Sequence, residues 1–392
     1  MNSLIMISFL LVSLLVYGVL EYYQHQKNIQ QIPIRIHVNG TRGKSSVTRL
    51  VGAGLRAGGY NVITKVTGTF PRLILSDGTE VAIHRKAGAN ILEQLNIVKY
   101  AAKHKADILL IECMALNPIY QKITEHQMIK ATHGVITNIR LDHLDVMGPG
   151  LQDVGNALAL TIPKKSKLFT SEDRMIKFLE KRSKKLDTAL NQYDGSKVSD
   201  TDMQGFTYIE HKANVDLALG ICSDLGVNQT LALKAMKMTQ PDEGVLKKFS
   251  IVKNDQKIHF YNALAANDPE SSLILWDAIT EREGNSKEFM VLINARKDRK
   301  ERSEQLVEAC TKIEFNNLLL SGENVDLVKN MALKNKINIH KIHLLGQTEP
   351  ESQVAKIIPL IKKETVIVAF GNMGAGGAEL SNYFENHQIK VS

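Results

Sequence analysis

"RIHVNGTRGKSSVTRL", residues 35–50, is the stretch on which the fold turns. A short apolar run ends at Asn39-Gly40, and Gly43-Lys44-Ser45 then opens a segment of helical period. Phosphate binding needs a turn tight enough to aim several backbone N–H groups at an anion, with a helix N-terminus behind it. Gly40 and Gly43 supply the permissive backbone, Lys44 is a point charge for terminal phosphates, and Ser45 offers a hydroxyl for magnesium. The common spacing G-x-x-x-x-G-K-[ST] would place glycine at position 38, where this chain has Val38. A predicted strand before the loop and a predicted helix after it still point to a nucleotide-phosphate loop.

The same order of strand then helix recurs along the chain. "ADILLIEC" (106–113) precedes "NPIYQKITEHQMIK", and "THGVITNI" (132–139) precedes a polar turn and "LQDVGNALALTI". Continuous apolar runs alternating with helical stretches predict an α/β fold with a mainly parallel sheet covered on both faces. A turn-rich break at "TQPDEGVLKKFS" (239–250) is followed by two short strands around Asn254-Asp255, a hairpin signal. The alternation then resumes in "EFMVLINA", "KIEFNNLLLSG" and "ETVIVAFGN". The expected organisation is an anchor over 1–24, a central ATP-binding domain over 25–245 and a smaller C-terminal α/β domain over 246–392. The Lys- and Arg-rich stretch 164–185 has apolar residues at helical spacing and reads as a solvated helix face rather than a polymer-binding strip.

The anchor rests on "SLIMISFLLVSLLVYGVL" (3–20), which carries no charge. As a helix it rises about 27 Å, close to the roughly 30 Å hydrocarbon core of a bilayer. Neither Lys nor Arg precedes Leu20, against a secretory signal, and the first fixed positive side chains are Lys27 and Arg35. The positive-inside tendency then places the catalytic domains in the cytoplasm behind a single membrane span.

At 392 residues with a net charge of +8, the chain suits two domains and an anionic partner: a nucleotide, an acidic polymer or an anionic lipid. No aromatic–basic platform accompanies the charge, so nucleic-acid binding is not expected. Cys113, Cys222 and Cys310 are far apart and odd in number, so neither a disulfide framework nor a zinc site is indicated, and a reducing compartment fits best.

Two further strand ends point to the loop, because ligands of open α/β sheets sit beyond the carboxyl ends of the strands. "DILLIE" ends in Glu112, an acid placed to bind magnesium directly or through water. "GVITNIRLDHLDVMG" (134–148) ends its strand near Asn138 and then offers Asp142, His143 and Asp145, a group suited to a second metal or to a carboxylate being activated.

The loop G-T-R-G-K-S, the acid at Glu112 and the run T-N-I-x-x-D-H-L-D-x-x-G resemble the Mur ligase superfamily, whose loop is G-T-x-G-K-[ST]. That shorter glycine spacing accounts for Val38. "NVDLALGIC" (214–222) is similar to the segment whose asparagine, here Asn214, recognises adenine. "YNALAANDPESS" (261–272) resembles the hinge-adjacent "DYAHNPDS" pattern, and "NARKDRKERSE" (294–304) the "GDRDKGKR" stretch of the third domain. Over nearly its full length the chain resembles the ATP-dependent ligase subunits of membrane poly-γ-glutamate synthases, through "GTRGKS", "KVTGT", "IEC", "DHLDVMGP", "AANDPESS" and "FGNMGAGGAE". Only about 35 residues precede the loop, too few for the nucleotide-sugar domain of other Mur ligases.

The resemblance implies an amide-bond ligase using ATP and Mg2+. Transfer of the γ-phosphoryl group to a glutamyl carboxylate makes an acyl phosphate, which an amine then attacks, releasing phosphate and leaving ADP. It further implies a loop of Gly40, Thr41, Arg42, Gly43, Lys44, Ser45 and Ser46, with Ser45 and Glu112 on magnesium and His143 on a second metal or the carboxylate. Asn267, Asp268, Arg296, Asp298 and Arg299 would close over ATP and substrate. The implied partners are glutamate, a growing poly-γ-glutamate chain and integral-membrane subunits, with a homo-oligomer open. A folylpolyglutamate or murein-precursor ligase, or an ATP-driven subunit of an export complex, is the alternative. Two departures stand out. Where many Mur ligases carry a carbamylated lysine, this chain has Thr161 in "ALALTIPKKSKLF", so a second metal would be held differently or weakly. Where they carry P-G-R, residues 243–247 read Glu-Gly-Val-Leu-Lys, so Lys247 would stand for the ATP-contacting arginine without its planar fork.

Overall fold

The computed structural model describes the chain from Asn2 to Ile389 except residues 69–70, 86–87, 207, 209, 241–245, 267–268, 285–286 and 363, with side chains from Ile5 onward. It divides into two compact units, Met1–Asp242 and Glu243–Ser392.

The first unit is built on strands β1 (Ile34–Asn39), β2 (Val62–Val66), β3 (Arg72–Ile74), β4 (Glu80–Ala82), β5 (Ile108–Glu112), β6 (His133–Ile136), β7 (Lys167–Thr170) and β8 (Ala189–Gln192). Among the described residues they form one sheet in the order β4-β3-β2-β5-β1-β6-β7-β8. The strands from β2 to β8 in that order are parallel; β3 and β4 add an antiparallel edge. The chain leaves β1 toward β2, returns to β5, and crosses to β6 on the other side. The sheet order therefore reverses at β1, which places its carboxyl end at the ligand-binding position of such folds.

Val38 answers for the missing glycine. It is fully buried in β1, level with Glu112 of β5 and Val135 of β6, and the strand runs on through Asn39, so the loop begins at Gly40. The following helix, Lys44–Ala57, buries Val47, Leu50, Val51 and Leu55, an apolar stripe at helical spacing, in the core shared with Ile36, Val38 and Leu110. On the other face the helix Glu93–Lys103 packs Ile97, Val98 and Ala101 against Leu109 and Ile111.

The N-terminal helix runs from Asn2 to Gln30. Ile5–Gln30 is long and apolar enough to cross a membrane, with mean hydropathy 2.1 in a window that buries nothing against the rest of the chain. Only its last turns dock. The His25 ring donates to the Met128 carbonyl at 2.9 Å, and Ile29 and Ile32 enter the core. Arg35 Nε then donates to the carbonyls of Ile129 and Lys130, at 3.1 and 2.9 Å.

The second unit has strands β9 (Lys247–Lys253), β10 (Gln256–Asn262), β11 (Glu288–Ala295), β12 (Asn317–Gly322), β13 (Ile342–Gly346) and β14 (Glu364–Gly371). Their order is β13-β12-β11-β14-β10-β9, parallel except for β9 against β10.

Several elements differ from the sequence reading. Residues 164–185 are not one helix: Leu168, Phe169 and Thr170 are buried in β7, and the helix spans Ile176–Lys185. Flanking lysines make so short a strand look like part of a charged helix. The helix expected after Asn117 is α-helical over Pro118–Ile123 and then widens to a π-turn over Thr124–Ile129. The strands β2, β3, β4, β8 and β13 were not expected; all are of five residues or fewer.

The hairpin expected at Asn254-Asp255 is present, with φ of 52° and 60° at its two turn residues. Both sit in the left-handed region that a two-residue hairpin turn requires and that glycine adopts most easily. The left-handed conformation costs an L residue roughly 1–2 kcal/mol, more than the roughly 0.5–1 kcal/mol of chain entropy that glycine adds, so Asp255→Gly should raise the melting temperature; one unchanged or lowered in the full chain would count against this turn.

Candidate active site

The loop between β1 and its helix is held open by side chains from its neighbours. Thr41 Oγ1 donates to Asn138 Oδ1 at 2.8 Å, the Arg42 N–H donates to the same oxygen at 3.0 Å, and Asn138 Nδ2 donates to the Arg42 carbonyl at 3.1 Å. Thr137 Oγ1 donates to that carbonyl as well, at 2.6 Å. Beneath the loop, Asn39 Oδ1 accepts from the Gly40 N–H at 2.8 Å, and Asn39 Nδ2 donates to Gln121 Oε1 at 2.9 Å and Thr161 Oγ1 at 3.2 Å. Thr161, at the place of the missing lysine, is thus a buried prop for the loop.

Both loop glycines are required by space as well as by φ. Gly40 has φ 134°, and a Cβ there would lie 2.0 Å from Thr137 Oγ1. Gly43 has φ 76°, and a Cβ would meet Asn214 Oδ1 at 2.9 Å. Asn214 therefore lies directly against the loop, brought there by the helix Lys212–Asp224. Its Nδ2 donates to Glu210 Oε1 at 2.8 Å, which also accepts from the His211 N–H at 2.8 Å. Burial pushes the Glu210 carboxyl above the usual carboxylate range, opposed by bonds from Asn214, His211 and Ser46.

Lys44 folds back so that Nζ donates to the carbonyls of Gly40, at 2.7 Å, and Thr41, at 3.2 Å. Burial lowers its pKa, opposed chiefly by the charge of Glu112. Glu112 is 2% exposed. Its carboxylate accepts from Ser45 Oγ, 3.1 Å from each oxygen, and from the Thr67 N–H at 2.7 Å. No Lys or Arg among the described residues forms an ion pair with it. A buried carboxylate without a cation is costly, and a hydroxyl beside a carboxylate is a hard-oxygen pair that suits magnesium, which takes one or two protein ligands and completes its shell with water and phosphate. The residues present fit that ion.

His143 has φ 47° and opens the helix Leu144–Met147. Its neighbour Asp142 bonds Arg42 Nη1 at 3.1 Å, which ties the Asp142-His143 turn to the phosphate loop. Among the described residues no three His, Cys, Asp or Glu side chains come together as a metal cluster, so His143 joins no ready-made second site.

The second unit places its own expected residues at the carboxyl ends of its parallel strands. Arg296 follows β11, with Nη2 2.8 Å from Asp298 Oδ2, and Arg299 Nε lies 3.8 Å from the same oxygen. Arg296, Asp298, Glu323 and Gln347 line one shallow cleft there. Lys247 is level with Asn262 at the same end of the sheet, and its Nζ lies 3.4 Å from Glu385 Oε1. Asn267 and Asp268 lie outside the described residues.

Sequence reasoning missed three groups. Lys65, in the "KVTGT" stretch, is fully buried, with Nζ 2.7 Å from Glu93 Oε1 and 3.0 Å from Gln94 Oε1. A lysine inside an apolar strand was its only signal. Glu210 had none. The third is His37, in the strand that carries the loop, whose Nδ1 lies 2.8 Å from Glu125 Oε2 on the π-turn. Burial alone would lower the His37 pKa, but the nearby Cys113 and the hydrogen-bonded Glu125 outweigh it and hold the ring at about 9.

Against known proteins, the Mur ligase middle domain model matches residues 38–221 and the poly-gamma-glutamate synthase CapB C-terminal domain model matches 248–387. The solved structure of E. coli FolC in complex with DHPP and ADP shares the fold at a TM-score of 0.72, with 13% identity over 93% of this chain and 92% of that one. A phosphate loop at the sheet reversal, an acid on the neighbouring strand and the Mur middle domain define an ATP-dependent ligase of the Mur type. The PGA synthase CapB of Bacillus subtilis is 34% identical over 383 residues, 96% of each chain. The capsule biosynthesis protein CapB of Bacillus anthracis is 32% identical over 381 residues, 96% of this chain and 82% of that one. The chain belongs to the poly-gamma-glutamate synthase CapB family.

Two outcomes test this geometry. Gly40→Ala should weaken binding of a fluorescent ATP analogue at least 100-fold while circular dichroism stays native; retained binding would show that the loop has slack. For His37, the folded pKa of about 9 exceeds the ordinary value of 6.5. Its contribution to stability is therefore complete below about pH 6.5 and lost as pH rises through about 9, with a slope of at most about 1.4 kcal/mol per pH unit. Urea titrations of the parent and His37→Gln at pH 6.5 and 9 should show the loss in the parent alone.

Proposed function

We propose that the protein joins glutamate through its γ-carboxylate to a growing poly-γ-glutamate chain, using ATP and magnesium, at the cytoplasmic face of a membrane that its N-terminal helix spans. The observation that carries this reading is Glu112: a buried carboxylate without an ion pair, bonded to Ser45 at the mouth of the phosphate loop. Together with the names of the two CapB relatives, it favours a magnesium-nucleotide site serving polymer synthesis.

In this reading Ser45 and Glu112 hold magnesium, which neutralises phosphate charge. Lys44 swings from the carbonyls of Gly40 and Thr41 to the terminal phosphates. The loop N–H groups, kept in place by Asn138, orient the nucleotide, and Asn214 meets the adenine. The glutamyl carboxylate takes the γ-phosphoryl group and becomes an acyl phosphate, so phosphate rather than oxide is the leaving group when the incoming amine attacks. His143 positions that carboxylate or a second cation. Arg296, Asp298 and Arg299 contact substrate, as do Asn267 and Asp268, and Lys247 contacts nucleotide. Most of the rate then comes from positioning and charge stabilisation. Integral-membrane partners receive the polymer.

The deciding experiment measures ADP release by full-length protein in detergent, with each common amino acid and with γ-linked glutamate oligomers. ADP release should rise only with glutamate or its oligomers and fall at least 100-fold in Lys44→Ala. Lys44-dependent release that ignores every amine and carboxylate would replace this reading with an export ATPase.

A further inference from the structure

The charged stretch 164–185, read from sequence as a solvated face, contributes to something more specific. A groove of about 680 Å³ in the first unit is lined by Lys122, His126, Lys164, Arg182 and Lys185. These come from separate places in the chain: the helix Pro118–Ile123, the π-turn Thr124–Ile129, the turn before β7 and the helix Ile176–Lys185. Ala157 and Leu160 add apolar lining. The volume falls within the ordinary range of ligand sites.

Lys122, Lys164 and Lys185 are exposed, and their ammonium groups have neither an ion-pair nor a hydrogen-bond partner among the described residues. Arg182 is held in place: Nη2 donates to Asn156 Oδ1 at 2.7 Å, and the guanidinium lies 5.3 Å from the Phe178 ring centre. One acid, Asp153, also lines the groove, and its Oδ2 already accepts from the Gly150 N–H at 3.0 Å. Burial lowers the His126 pKa; the charge of Glu125 opposes this, and the charges of Lys164 and Lys122 add to it. Converging cations repel, so the groove is short of an anion.

Its surroundings suggest which anion. The π-turn that supplies His126 also supplies the Met128 and Ile129 carbonyls that receive His25 and Arg35, where the apolar helix meets the unit. Gln121 and Thr161, which prop Asn39 under the phosphate loop, belong to segments that also contribute Lys122 and Leu160. The groove is thus built on the elements that support both the loop and the helix exit. We infer that it is a secondary binding site for an anionic γ-linked glutamate chain, the Lys122, Lys164, Arg182 and Lys185 side chains meeting its carboxylates while Ala157 and Leu160 face its methylenes. In a γ-linked chain each repeat sets one carboxylate beside two backbone methylenes, which matches a lining that combines cationic and apolar side chains. This rests on the polymer reading above, and it assigns chain holding to a place apart from the phosphate loop.

The test is nucleotide-free fluorescence anisotropy with a labelled γ-linked glutamate decamer and full-length protein in detergent. The triple replacement of Lys122, Lys164 and Lys185 by Gln should weaken binding at least tenfold, and the triple Arg replacement should restore it. ADP release with free glutamate should stay within twofold of the parent in both variants. Addition of the decamer should also raise the His126 titration midpoint followed by NMR. Unchanged decamer affinity in the Gln variant would overturn the inference, as would a Gln variant that loses only its binding to anionic-lipid vesicles. Lysine-dependent decamer binding without glutamate-dependent ADP release would leave the groove standing and sink the ligase reading; the reverse result would do the opposite.

Discussion

Gly40 has room for a hydrogen atom and nothing larger, and much of the first unit is arranged around that constraint. A side chain there would strike Thr137 at the end of β6. The closeness exists because β1 is the strand at which the sheet order reverses, so the chain leaving it passes between β5 and β6. From that position the loop meets Glu112 on one side and Thr137 and Asn138 on the other. Asn39 and Asn138 take up the N–H groups of Gly40 and Arg42, and Thr137 donates to the Arg42 carbonyl, so the first half of the loop is fixed by its neighbours ahead of the helix that begins at Lys44.

Charge follows the same geometry. Glu112 is buried at a strand end with a hydroxyl and an N–H for partners, and Lys44 turns back on its own loop carbonyls. Burial lowers the Lys44 pKa, and the charge of Glu112 opposes that shift. The second unit repeats the principle with a different sheet, setting Arg296 and Asp298 just beyond β11. Beneath the loop, His37 and Glu125 tie β1 to a π-turn, a wider helical form often found near functional sites. The same turn receives the end of the apolar N-terminal helix, so the docking of that helix and the support of the loop share one piece of backbone.

The parts of this site that were legible in the sequence are those whose chemistry is local. Gly43-Lys44-Ser45 follows a strand and opens a helix, and Glu112 closes a continuous apolar run, so residue type and position together expose them. The hairpin at Asn254-Asp255 was equally legible, because a two-residue turn with positive φ admits few residue types. Glu210, Lys65 and the His37–Glu125 pair were not. Each is a polar residue in an ordinary-looking segment, and its burial depends on what another segment, tens of residues away, brings against it. Short strands such as β7 failed for a related reason: four residues cannot display a period, and neighbouring lysines masked the buried Leu168-Phe169 pair.

By itself the sequence determined the alternating α/β class, the apolar helix at the start and the glycine-bearing turn between β1 and its helix. These follow from short-range rules of backbone freedom, apolar period and helix length, which operate within a few neighbouring residues; the resemblance to polyglutamate-forming ligases rests instead on matched motifs along the chain. Only the tertiary structure decided that Glu112 is buried without a cation, that Thr161 props Asn39 under the loop, and that Lys122, Lys164 and Lys185 line one groove. Those are properties of crossover connections and strand order, since a parallel sheet places side by side strands that the chain visits far apart.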